Sequence, residues 1–77
     1  MRSDEIEKII RSNIKDCEVK VKDDGAGHYE AIVISDNFKE VGTLNRHKMV
    51  FNTLGSLVGN EIHALSLKTF TIDEFND

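Results

Sequence analysis

Cysteine is nearly absent from this chain: Cys17 is the only one in 77 residues. A single thiol makes no internal disulfide and no all-cysteine metal site, which fits a reducing compartment, and the expected location is cytoplasmic. No apolar run approaches the roughly 20 residues that cross a bilayer. The opening MRSDEIEK is acidic and lacks the apolar stretch of a signal peptide, so the chain is read as mature and without a membrane partner. Basic excess is missing too: 10 Lys and Arg face 14 Asp and Glu, for a net charge of −4. Phosphate neutralisation supplies most of the affinity of a dedicated nucleic-acid binder, so this balance argues against DNA as the main partner. The glycine-rich phosphate-binding motifs are absent, as are repeats, linkers and low-complexity segments. Ser66 follows His63 by three residues in an extended segment, on the opposite face, so the two form no nucleophile–base pair. These absences argue against an enzyme.

What is present is a single small domain, residues 1–77, with 39% hydrophobic residues. A chain this short buries only about 60% of its unfolded surface and leaves no room for a deep cleft beside a complete core. Ile6, Ile9, Ile10 and Ile14 recur at helical spacing behind Ser3, which reads as the N-cap of a helix over 3–14. Glu7, Lys8 and Arg11 form its solvated face. Cys17, Val19 and Val21 alternate with charged residues as a half-buried strand, DDGAG (23–27) turns the chain, and HYEAIVIS (28–35) is a second, antiparallel strand. After a connection anchored by Phe38, Thr43 is expected to cap a helix over 43–58 whose apolar face includes Leu44, Val50, Phe51 and Leu54, with Gly55 inside it for close packing. A third strand over 62–69 should lie parallel to one of the first two, because a helix intervenes. Thr71 and Glu74 have capping-box spacing for a last helical turn carrying Phe75 back onto the domain.

The histidines carry the chemistry. His47 sits on the apolar side of the second helix and reads as a half-buried packing residue. His28 stands where a glycine-rich turn meets a strand, and alone it reads first as an exposed loop residue. His63 interrupts an apolar strand, NEIHALSLKTF, on the face of Leu65 and Leu67 and at the strand's start. A neutral imidazole at that rim is a competent ligand for iron, copper or zinc, and the residues alone leave ligand and packing roles equally open. Two histidines do not close a four-ligand structural zinc site, but they can supply half of a centre completed by another molecule.

The run LNRHKMVFNTLGSLVGNEIHALSLKTFTIDEF resembles the BolA-like family in Arg46-His47, in Ile62 to Leu67 and in Thr71 to Phe75, and His28-Tyr29 is similar to the family's strand-opening His-Phe. The resemblance covers nearly the whole chain. It implies an α+β fold, α-β-β-α-β with a three-stranded mixed sheet and a short C-terminal helical turn, like class II KH domains. It also implies a [2Fe-2S] cluster shared with a monothiol glutaredoxin, which brings thiolates and glutathione. His63 matches the family ligand and His28 matches the second ligand from the first strand–strand loop; the free protein is expected as a monomer and the complex as a heterodimer. One departure concerns a glycine that the family places two residues after the phenylalanine; here Glu40 occupies that position. It bears on the loop, not on the histidines.

The rival reading is a DNA-binding transcription regulator or stress-response morphogen, using a KH-like surface around Asn45, Arg46, Lys48 and Lys39. The GxxG loop with which KH domains grip single strands is not at the expected place. The same cations could hold a partner's acidic face or the carboxylates of glutathione.

Overall fold

In the computed structural model, which describes Met1–Asp77, the elements follow the expected order: α1 (Ser3–Asn13), β1 (Cys17–Asp23), β2 (His28–Ser35), α2 (Thr43–Leu54), β3 (Ala64–Phe70) and α3 (Ile72–Asn76). One sheet has the order β1-β2-β3. A four-residue loop joins β1 to β2, so the pair is antiparallel; α2 intervenes before β3, which therefore returns parallel to β2. The result is the α+β architecture with a mixed sheet.

One sheet face is the core. Val19, Val21, Tyr29, Ala31 and Val33 point into it and meet Ile6 and Ile10 of α1, Val50 and Leu54 of α2, Phe38 and Ile62. The opposite face shows Lys20, Lys22, Glu30, Ser66 and Lys68 to solvent. At one end Phe75 of α3 folds back edge-on against Phe70, with ring centroids 5.5 Å apart. Thr71 and Glu74 make the capping box: the Thr71 hydroxyl accepts from Glu74 N at 3.2 Å, and the Glu74 carboxylate accepts from Thr71 N at 2.9 Å.

Several local expectations are corrected. Arg2, not Ser3, is the N-cap of α1, and the Ser3 hydroxyl instead donates to Asp23 at 2.8 Å. Glu7 is not merely solvated: its carboxylate accepts the Val21 N–H at 2.9 Å, satisfying a donor on the edge strand β1. Gly42, not Thr43, caps α2, and Leu44 is 68% exposed rather than part of the apolar face. The second helix ends at Leu54, four residues early. Gly55 is its C-cap at φ +53, with nothing within 4 Å of the place a Cβ would occupy, so backbone conformation and not close packing accounts for this glycine. Beyond it a 3-10 turn, Gly55–Leu57, leads to a bend.

Candidate metal-ligand site

The third strand opens at Ala64, two residues later than its composition suggests, because the chain is still turning at Ile62 and His63. Ile62 is fully buried, whereas His63 is exposed. His63 thus sits in the bend before the pleat begins, accessible at the rim of the sheet. Its backbone is nonetheless fixed. The Gly27 carbonyl accepts from His63 N at 3.0 Å and from Ala64 N at 3.2 Å.

His28 begins β2 directly across from Ala64. The two histidines thus stand at the same end of the sheet, beside the loop Asp24–Gly27, and that loop holds both rings. Asp24 Oδ2 lies 2.9 Å from His28 Nδ1, while Asp24 Oδ1 accepts from Ala26 N at 2.8 Å and from His28 N at 3.3 Å. The Ala26 N–H, and secondarily the His28 ring, hold the Asp24 carboxyl below its usual pKa. A carboxylate only accepts, so a hydrogen bond across this contact calls for a proton on His28 Nδ1. On the other side of the loop, the His63 ring lies over Gly27: a Cβ there would come within 3.1 Å of His63 Cγ and closer still to Cδ2. The rings line separate depressions. His28 shares one with Lys22, Asp24 and Ser66, and His63 shares the other with Met1, Gly25, Tyr29 and Glu61.

No group of three or more His, Cys, Asp or Glu side chains converges on a common point. The donor set does not suit a metal held by this chain alone. It suits a centre for which another molecule brings the remaining ligands, since two exposed imidazoles would fill at most two positions and leave the others open. Cys17 offers no alternative: it packs half-buried against the core, and burial pushes its thiol pKa up, away from the thiolate form that binds metals.

The second candidate surface is arranged differently. Asn45 and Lys48 are exposed on α2, and Lys39 is exposed in an ion pair with Asp36 at 3.6 Å. Arg46 is only 11% exposed and fully engaged. Its Nε donates to Val41 O at 2.6 Å, its two terminal nitrogens donate to the Glu74 carboxylate at 2.6 and 3.1 Å, and its guanidinium stands 5.7 Å from the Phe38 ring centroid. The guanidinium's bonds to Glu74, and secondarily the Thr71 N–H, hold the Glu74 carboxyl down to about 2. Arg46 is thus a clamp between α2, the preceding loop and α3, not a free surface cation. The sequence reading missed this role and missed Asp24 and Gly27. The Asp–x–x–x–His spacing around a glycine pair was a usable sign for Asp24; the Arg46–Glu74 pair, 28 residues apart, left none.

Comparisons with known proteins place the fold. A bolA protein homologue from Coxiella burnetii has the same fold, with a TM-score of 0.88 and 37% identity, covering 100% of this chain and 99% of that one. Yeast Fra2 superposes with a TM-score of 0.78 at 25% identity, covering 100% of this chain and 86% of its own. The DNA-binding transcriptional regulator BolA of Escherichia coli is 40% identical over 48 residues, 62% of this chain but only 46% of that longer protein. No helix is long and apolar enough to cross a membrane. A family model for BolA-like proteins matches residues 5–74, and with that match over most of its length and the shared fold, the chain belongs to the BolA-like family.

Proposed function

We propose that this protein is a non-enzymatic adapter in iron–sulfur cluster assembly, trafficking and iron homeostasis, sharing a [2Fe-2S] cluster with a monothiol glutaredoxin. When bound, the cluster supplies two iron sites that accept thiolate and imidazole ligands, and imidazole ligation raises its reduction potential. His63 is the first ligand and His28 the second; thiolates of the glutaredoxin and of glutathione complete the set. The observation that carries this reading is the state of His63. Its ring is exposed, its backbone is tied to Gly27, and no intramolecular hydrogen bond of the kind that engages His28 takes either ring nitrogen. A ligand presented on a fixed backbone loses little freedom when it binds. Lys48 and Asn45 are available to meet acidic groups on the partner.

The test is titration of the pure protein with a monothiol glutaredoxin carrying its cluster. A mixed complex with a visible spectrum distinct from that of the glutaredoxin is expected at micromolar concentration. His63→Ala should abolish that spectrum and leave stability within about ±0.5 kcal/mol, as for other exposed positions. Absence of a complex, or an unchanged spectrum with His63→Ala, overturns the proposal.

The name of the Escherichia coli relative favours a second reading, DNA binding. On this chain it would rest on Lys48, Lys39 and Asn45, because Arg46 is engaged elsewhere. Loss of binding with Lys48→Glu, and affinity falling with salt, would support it.

A further inference from the structure

The loop beside the histidines holds one carboxylate whose two oxygens have different tasks. Oδ1 of Asp24 takes backbone N–H groups from Ala26 and His28, which fixes the carboxylate as part of the turn. Oδ2 is left for the His28 ring. From this division of labour we infer that Asp24 is a positioning residue: it commits Nδ1–H of His28 to the loop and leaves the Nε2 lone pair as the metal-ligating atom. The inference rests on the shared-cluster reading above and adds to it the ligating atom and the residue that selects it.

The chemistry is that of a carboxylate behind a metal-bound imidazole. Such a partner fixes tautomer and ring orientation and makes the free nitrogen a better donor. A neutral imidazole has one N–H and one lone pair, so holding the proton at Nδ1 is what leaves Nε2 able to ligate. The His28 side chain is 59% exposed, so a ligand brought by a partner can reach it.

Asparagine at this position makes a specific test. Its single oxygen must face the N–H groups of Ala26 and His28, because backbone donors have no alternative role. Its NH₂ then faces Nδ1 of His28. Two donors cannot share a hydrogen bond, so the imidazole must answer by moving its proton to Nε2. Asp24→Asn therefore preserves the turn and inverts the tautomer. Asp24→Ala removes the bias in both directions.

The experiment is two-bond ¹H–¹⁵N correlation on the ¹⁵N-histidine-labelled free protein, at a pH where the ring is neutral, with wild type, Asp24→Asn and Asp24→Ala. Wild type should show Nε2 unprotonated as the dominant form. Asp24→Asn should reverse the ratio by roughly tenfold or more, as one charge-assisted hydrogen bond commands. Asp24→Ala should lie between. The same proteins and His28→Ala are then combined with cluster-loaded monothiol glutaredoxin, and the visible and circular-dichroism spectra recorded. Asp24→Asn should reproduce His28→Ala, and Asp24→Ala should retain part of the wild-type signature. A wild-type ring protonated on Nε2, or no inversion with Asp24→Asn, overturns the inference even if the mixed complex forms, and the adapter reading then stands without it. An inverted tautomer together with a His28→Ala spectrum identical to wild type overturns the ligating role of Nε2 and leaves His63 as this chain's ligand. No complex with wild type overturns the adapter reading and, with it, the role of Asp24.

Discussion

Gly27→Ala should cost this protein twice, and the two costs are separable. The first is backbone strain. Gly27 has φ +83, a region where a residue with a Cβ is disfavoured by roughly 1–3 kcal/mol. The second is a collision: the new methyl would lie 3.1 Å from Cγ of His63 and nearer to Cδ2, and the ring must swing away. Gly25 provides the control. It sits in the same loop at φ +81, with nothing within 4 Å of an added Cβ, so Gly25→Ala carries the strain without the collision. For a domain of this size each kcal/mol lowers Tm by about 4–8 °C. Thermal denaturation should therefore show a moderate loss for Gly25→Ala and a larger one for Gly27→Ala. The excess should shrink in a His63→Ala background, giving a coupling energy of about 0.5–3 kcal/mol between positions 27 and 63. Gly27→Ala should also weaken the mixed cluster complex while Gly25→Ala leaves it intact. Equal stability losses for the two alanine variants, with no coupling to position 63, would refute the placement of the ring over Gly27.

Glu74 has its carboxyl held at about 2 against an ordinary 4.5, so its contribution to stability is complete above 4.5 and is lost as pH falls toward 2. The Tm difference between wild type and Glu74→Gln should be constant near neutrality and close as the solution is acidified through that window; parallel curves would contradict the clamp. Glu40 has φ +61, and Glu40→Gly should stabilise by about 0.5–1 kcal/mol, the relief of left-handed strain less the extra flexibility of glycine in the unfolded chain. Arg46→Met keeps a long apolar side chain but removes every donor and the guanidinium over Phe38, so it should lower Tm clearly, whereas Lys48→Glu should change stability by no more than about 0.5 kcal/mol. If DNA is bound through Lys48 and Lys39, about two phosphates are neutralised and log K should fall with log salt at a slope near −2; a slope of roughly −4 to −5 would instead bring in Lys20, Lys22 and Lys68 of the open sheet face.

Element order, strand pairing and the closing helical turn were legible because each has a local signature: alternation in Val19 and Val21, a glycine turn between two β-rich runs, Thr71 and Glu74 at capping distance. The ends of elements were not. Hydrophobicity continues from Leu54 through Leu57 and Val58, and only the left-handed conformation at Gly55, invisible in composition, ends the helix there. Likewise Ile62 looks like the start of a strand, yet it is buried by a turn rather than by a pleat, which leaves His63 in the bend before β3 instead of within it. His63 could be singled out because an imidazole in an apolar run is conspicuous, whereas His28 stood out only through the family resemblance. What holds them could not, since Gly27 meets His63 across 36 residues of sequence and gains meaning only when β2 and β3 pair.

The two candidate surfaces differ in what must be given up to use them. Arg46 has its donors on Val41 and Glu74 and its face toward Phe38. Turning it to a phosphate would strip the carboxylate that also caps α3, loosening the packing of Phe75 on Phe70. What remains for a polyanion is Lys48, a Lys39 already beside Asp36 and, on the open sheet face, Lys20, Lys22 and Lys68 around Glu30, all against an overall charge of −4 that opposes approach. At the other end nothing must be broken. His63 is exposed on a backbone already pinned by Gly27, and the proton that could have blocked His28 is already held away from Nε2 by Asp24. A charged group counts toward binding only to the extent that the fold has left it unspent, and by that measure the imidazoles are available and the guanidinium is not. The availability of donor atoms, more than the number of basic residues, favours a metal-sharing role over a nucleic-acid role for this chain.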